Sequence, residues 1–174
     1  MKKTAKLVAT VALMSFALGV AAEAAGLRVN TTKSIPLGIY QLTDSPVRVG
    51  EYVIFCPPDT SVFELAQQRG YIDVGRCPGG LGQMMKKVLA AKGDLVSVDG
   101  EGVTVNGQRL ANSTPLASDP SGRRLPSWRA ENLPVGSGDF LLMSDVNAIS
   151  FDARYFGLID SQHIQGVVRP ILTW

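Results

Sequence analysis

The chain has one histidine, two cysteines and few aromatic residues, 7% of 174 positions. The single histidine, His163, has no Asp signature around it, which argues against a Ser-His-Asp triad. One histidine and two cysteines are too few soft ligands for a metal centre, so neither a metal nor another cofactor is expected. Excess charge is also scarce. Seventeen Lys and Arg against 15 Asp and Glu give a net +2 with no long basic run, which gives nucleic-acid binding no support. There is no internal repeat, no low-complexity tract and no phosphate-cradling glycine loop. Asp145 and Asp152 read as structural carboxylates rather than an acid/base pair. What is plentiful is turn chemistry, 18 Gly and 10 Pro, while helical periodicity fades after residue 25. The length suits one domain with a sizeable core, built mainly of short β-strands.

The N-terminus departs from that pattern. Met1-Lys-Lys-Thr-Ala-Lys6 is positive, Leu7 to Val20 is an apolar run of 14 residues, and Ala21, Ala22, Ala24 and Ala25 follow. This is the build of an export signal, short for a full span of roughly 20 apolar residues. Residues 1–25 are therefore an export signal or membrane anchor, with cleavage near Ala22 or Ala24 and retention both open. In either case the body, 26–174, faces outward and the lysines stay cytoplasmic. In an exported compartment Cys56 and Cys77 favour a disulfide, closing a loop worth roughly 3 kcal/mol, over two buried free thiols.

Within the body, Asn30-Thr-Thr-Lys-Ser-Ile-Pro-Leu-Gly-Ile-Tyr40 sets Ser34 in a stiff frame. Pro36 disfavours helix at Ile35, Gly38 permits a bend, and Tyr40 resumes a strand. A serine held so is a candidate nucleophile. Glu51 to Phe55 reads as a strand stopped by Pro57 and Pro58. Ser61-Val-Phe-Glu64 has capping-box spacing for a helix from about Val62 to Arg69, ended by Gly70. Residues 57–80 are thus a small helical excursion bounded by the cysteines, a flap or rim. Met84 to Ala90 reads as a buried strand carrying two adjacent lysines, Lys86 and Lys87. A buried lysine loses charge and becomes a base, whereas an edge-strand lysine snorkels to water, and alternation does not choose between the two. Leu95 to Val98 is a strand, and Asn106-Gly107 turns a hairpin from Val103 to Leu110. Residues 111–137 read as a long irregular connection, with Arg123 and Arg124 as solvated charges. Phe140 to Met143 and Ile164 to Val168 are the last strands.

Three stretches in order resemble the boxes of the bacterial type I signal peptidases: Ser34-Ile-Pro36, Lys86 to Asp94, and Ser150-Phe-Asp-Ala-Arg154. The likeness is closer to the TraF branch, the conjugative transfer peptidases that mature pilins. That branch resembles this chain in Ser34 to Tyr40, in Cys-Pro-Pro…Cys-Pro-Gly-Gly from Cys56 to Gly80, and in Ser150 to Gly157. The resemblance implies coiled antiparallel sheets with a hydrophobic face near the bilayer. It implies Ser34 as nucleophile and Lys86 as general base, since Lys86 stands eight residues before Asp94. Ser150 matches a serine that orients the lysine amine, Asp152 and Arg154 a supporting ion pair, and Thr32 a hydroxyl of the oxyanion hole. The departures are a Ser-to-Pro spacing one residue shorter than in general signal peptidases, Lys92 in place of a usual proline, and Ser144-Asp-Val in place of Gly-Asp-Asn.

The resemblance further implies an exported, membrane-associated precursor as partner, a pilin above all, and work at the outer face of the cytoplasmic membrane. In that branch the product can be cyclic rather than hydrolysed. Two other readings are a housekeeping leader peptidase and a non-catalytic periplasmic component of a transfer apparatus.

Overall fold

Turn residues punctuate the body into short strands, and a computed structural model describes residues 2–174. Helix α1 (Lys2–Ala24) leads into β1 (Leu27–Asn30), β2 (Gly38–Thr43) and β3 (Tyr52–Phe55), then α2 (Ser61–Gln68). After it come β4 (Met84–Ala90), β5 (Leu95–Val98), β6 (Val103–Val105), β7 (Gln108–Arg109), β8 (Ala130–Pro134) and β9 (Asp139–Met143). The chain closes with α3 (Ala153–Phe156), β10 (Ile159–Asp160) and β11 (Ile164–Thr173). Pairing is antiparallel throughout, in a seven-stranded sheet of order β1-β2-β11-β3-β4-β9-β10 and a four-stranded sheet of order β7-β6-β5-β8. The fold is mainly β with an N-terminal apolar helix.

Alternation builds the centre. In β4 every second side chain from Met84 is buried, so Met84, Lys86, Val88 and Ala90 face inward while Met85, Lys87 and Leu89 are half-buried. One core collects Val53, Phe55, Val88, Leu142 and Val167 from the large sheet with Phe63 of α2 and Phe151 and Tyr155 near α3. A second collects Val96, Val98 and Val103 of the small sheet under Leu141 and Met143. Asn106 and Gly107 both have positive φ, 51° and 79°, the signature of the type I′ turn their sequence calls for.

Several boundaries differ from the sequence reading. The N-terminal helix outruns its 14-residue apolar core: Lys3–Ala24 is a 22-residue stretch, exposed along its length and long and apolar enough to cross a membrane. Flanking alanines and lysine stems continue the helix past the most apolar residues. Met1 lies outside the described residues. Ser61 is not the helix cap. Thr60 takes that place in extended backbone, its carbonyl accepting from Phe63 and Glu64, and its side chain makes no capping bond. The irregular connection contains β8, which pairs with β5 through Leu95–Pro134 and Val96–Leu133. The reading missed it because four of its five residues are exposed, leaving no apolar alternation to see. Arg123 is not merely solvated: its Nε lies 2.6 Å from the buried Asp119. Finally β11 does not stop before Pro170. It runs to Thr173 along β2, absorbing the proline at a register shift between Pro170 and Leu172.

Candidate active site

The serine stretch and the lysine strand lie far apart in sequence, and the large sheet brings them together. Residues 31–37 form the turn between β1 and β2, and Ile35, 1% exposed, packs with Tyr40, Ile54 and Val168 to seat it. The Tyr40 hydroxyl donates to the Pro36 carbonyl at 2.6 Å. Ser34 lies between these anchors, half-buried. In β4, Lys86 pairs with Val53 of β3 and points to the inner face. Its Nζ lies 2.7 Å from Ser34 Oγ and 2.7 Å from Ser150 Oγ, and the two hydroxyls are 3.4 Å apart.

Lys86 is 2% exposed. Burial first, then the positive charge of Arg154, pulls its pKa down to about 8, against an upward pull from Asp152. Roughly a tenth of the amine is therefore neutral at pH 7, far more than for an ordinary lysine, with a lone pair free to accept a proton. Lys87, one residue on, faces the other way. Its Nζ meets Asp145 at 2.6 Å and lies 6.0 Å from the Tyr52 ring centroid, and hydrogen bonding to Asp145 raises its pKa.

Ser150 is held by a buried knot. Asp152 caps α3, accepting from the Arg154 N–H, and also accepts from the Ser144 N–H at 3.2 Å. The Arg154 guanidinium clasps both Asp152 oxygens at 2.7 and 2.8 Å, and the two side chains are fully buried. Its remaining donors reach the carbonyls of Ala148 at 2.7 Å, Ser150 at 2.9 Å and Asn112 at 3.0 Å. One charge thus fixes the loop that delivers Ser150.

Ser34 and Lys86 open on a cleft of about 540 Å³. Val29, Ile54, Met84, Met85 and Phe151 give it apolar walls, and Glu23, Arg28, Asp73 and Arg76 line it as well. The excursion supplies the stretch from Tyr71 to Arg76. Cys56 and Cys77 are bonded at its base, Cα atoms 5.3 Å apart. Tyr71 donates to Asp119, whose pKa falls to about 2 through that bond and those from Arg123.

Of the residues singled out from the sequence, Ser34, Lys86 and Ser150 meet directly, and Asp152 and Arg154 stand behind them. Thr32 lines the same cleft, but its hydroxyl donates to Asn30 Oδ1 at 3.0 Å. His163 lies elsewhere, in the turn before β11, where its carbonyl accepts from Cys56. The sequence reading missed Asn30, whose buried carboxamide binds the serine turn. The signal was present, an Asn two residues before Thr at a strand end, the pattern of an Asx turn.

Comparison with known proteins bears on this arrangement. A family model described as signal peptidase, peptidase S26, matches residues 1–174. A plasmid transfer protein TraF of Escherichia coli is 49% identical over 174 residues, 100% of this chain and 98% of its own length. A conjugal transfer protein TraF of Agrobacterium fabrum (strain C58 / ATCC 33970) is 36% identical over 151 residues, 86% of this chain and 84% of that protein. A solved signal peptidase I of Enterococcus faecalis V583 covers 73% of this chain and 100% of its own, with TM-score 0.42 and 16% identity, a superposition too loose to add to the contacts above. Since the family model runs from end to end and the relatives match nearly full length, the chain belongs to the signal peptidase family, peptidase S26.

Proposed function

We propose that this chain is a serine endopeptidase with a Ser34–Lys86 dyad, acting on exported, membrane-associated precursors and maturing a conjugative pilin precursor in particular. The observation that carries the reading is the buried Lys86 amine, with pKa lowered to about 8, standing 2.7 Å from the Ser34 hydroxyl at the floor of a cleft. Serine is a weak nucleophile until a base takes its proton, and a desolvated neutral lysine is such a base.

The chemistry follows from that pair. Neutral Lys86 takes the Ser34 proton as Oγ attacks the scissile carbonyl, and the resulting ammonium returns it to the leaving amine. Ser150 accepts an N–H from the amine and so aims its lone pair at Ser34. The Thr32 hydroxyl, turned from Asn30 toward the cleft, donates to the developing oxyanion. The acyl-enzyme is then released by water, or by the substrate's own amino terminus with closure of a ring. The apolar helix α1 supports a location at the outer face of the cytoplasmic membrane. The relatives' descriptions as plasmid and conjugal transfer proteins support a substrate from a transfer apparatus rather than general leader peptides.

The test is co-expression with a pilin precursor and, separately, with a leader-bearing precursor, the products being weighed by mass spectrometry. Processing of the pilin precursor alone is expected, and Ser34→Ala should abolish it with the thermal melt nearly unchanged. Turnover that survives Ser34→Ala overturns the reading. Cleavage of both precursors moves the assignment to a general leader peptidase.

A further inference from the structure

We propose that Asn30 is the positioning residue of the serine turn, its carboxamide setting where Ser34 Oγ stands relative to Lys86 Nζ. The inference rests on the Ser34–Lys86 reading and adds to it a residue that no sequence box marks. Residues 31–37 lie outside any strand, so ladder hydrogen bonds do not fix Ser34. Asn30 sits at the neck of the turn as the last residue of β1, paired with Gly38 where β2 begins. Its side chain turns inward and is 4% exposed.

There the carboxamide does the work of missing backbone pairs. Nδ2 lies 2.8 Å from the Thr32 carbonyl, 3.0 Å from that of Ile35 and 3.0 Å from that of Pro36. Oδ1 accepts from the Thr32 N–H at 3.2 Å and from its hydroxyl at 3.0 Å. These contacts bracket Ser34, with Thr32 before it and Ile35 and Pro36 after it. The two hydrogens of Nδ2 serve the Thr32 and Ile35 carbonyls and share that of Pro36 with the Tyr40 hydroxyl, and the Thr32 N–H demands an acceptor, so the group needed is a fork carrying both. Aspartate would set a carboxylate oxygen against three carbonyl oxygens. Serine lacks the fork, and glutamine is one methylene too long for the same neck. Asn30 is thus the polar anchor and Ile35 the apolar anchor of one short turn, with Ser34 between them facing Lys86.

A displacement of about 1 Å in a reacting group costs on the order of a hundredfold in rate. Asn30→Ala and Asn30→Asp are therefore expected to lower kcat about a hundredfold, with KM little changed because Asn30 borders the cleft only at the serine turn and the apolar walls of Val29, Ile54, Met84, Met85 and Phe151 are untouched. In Asn30→Ala, which adds no charge, the rising limb of the pH–rate profile should keep its midpoint, since the burial of Lys86 does not depend on Asn30. Val103→Ala serves as the comparison, a cavity variant in the second core away from the site. It should lower the melting temperature without lowering kcat. Asn30→Ser, small, uncharged and lacking the fork, should lose kcat likewise and covers the case in which Asn30→Ala fails to fold. If the Asn30 variants lose no more kcat than Val103→Ala, or if the loss falls on KM, the inference is overturned while the dyad stands. If the wild-type chain shows no Ser34-dependent turnover, both fall together.

Discussion

Lys86 and Lys87 are adjacent in β4 and live in opposite worlds. Lys86 is buried against Ser34 and Ser150 with its pKa lowered, and Lys87 is partly exposed against Asp145 with its pKa raised. The pleat sends successive side chains to opposite faces, so one strand carries both a candidate base and a surface ion pair.

This separation makes the two lysines experimentally distinct. Lys86→Ala and Lys86→Arg should both be inactive, by at least the hundred- to ten-thousandfold typical of a lost general base, because arginine keeps its proton at working pH. Lys87→Ala should retain measurable turnover of the same precursor. The opposite pattern, Lys87→Ala dead and Lys86→Ala active, would move the base by one residue.

The lowered pKa also has a sign for stability. Lys86 falls from 10.5 to about 8 on folding, so between those values the unfolded chain binds more protons than the folded one. Stability from this group therefore rises with pH from about 8 to 10.5 and is lowest below about 8, where a charged amine is buried. The difference is roughly 3 kcal/mol. Lys86→Met should melt higher than wild type at pH 7 and flatten that slope, while turnover vanishes. In the wild type, turnover should climb with pH toward about 8. A Lys86→Met variant that melts lower at pH 7 would contradict the burial account.

Asp152 and Arg154 are fully buried, and removing one leaves the other uncompensated. Asp152→Ala should cost about 3–5 kcal/mol in urea unfolding. Activity should fall too, because Arg154 holds the Ala148 and Ser150 carbonyls of the loop that delivers Ser150 to Lys86. A loss below about 1 kcal/mol would show that water reaches the guanidinium in the variant.

The Cys56–Cys77 bond closes a sequence separation of 21 residues beneath the excursion that walls the cleft. Non-reducing peptide mapping of periplasmic material should find the two joined, and reduction should lower stability by about 3 kcal/mol by chain entropy. Free thiols on both cysteines would refute the pairing.

The positive flank and apolar run of α1 carry a prediction of orientation. In spheroplasts, added protease should digest residues 26–174, and fractionation should place the protein at the cytoplasmic membrane or in the periplasm. Full protection of the body would reverse the topology.

The sequence by itself determined the local features: the apolar N-terminal helix, the alternating strand from Met84, the Asn106–Gly107 turn, the β-rich body and the Ser, Lys and Ser-x-Asp-x-Arg stretches. Each depends on neighbours within a few residues, where propensity, proline and glycine act directly. It did not expose β8, whose exposed residues carry no apolar period, or the run of β11 through Pro170, which survives because β2 pairs past a register shift. Nor could alternation choose between Lys86 and Lys87, since both faces of β4 offer apolar neighbours. The eight-residue spacing to Asp94 pointed to Lys86 through the family resemblance, but the burial that sets the two amines apart is tertiary. It needs β3 and β9 on either side of β4 and the Asp152–Arg154 knot delivering Ser150, so that one amine loses its water while the next keeps it. Asn30 is tertiary for the same reason: an asparagine becomes a clamp only when folding removes its solvent and leaves three carbonyls within its reach.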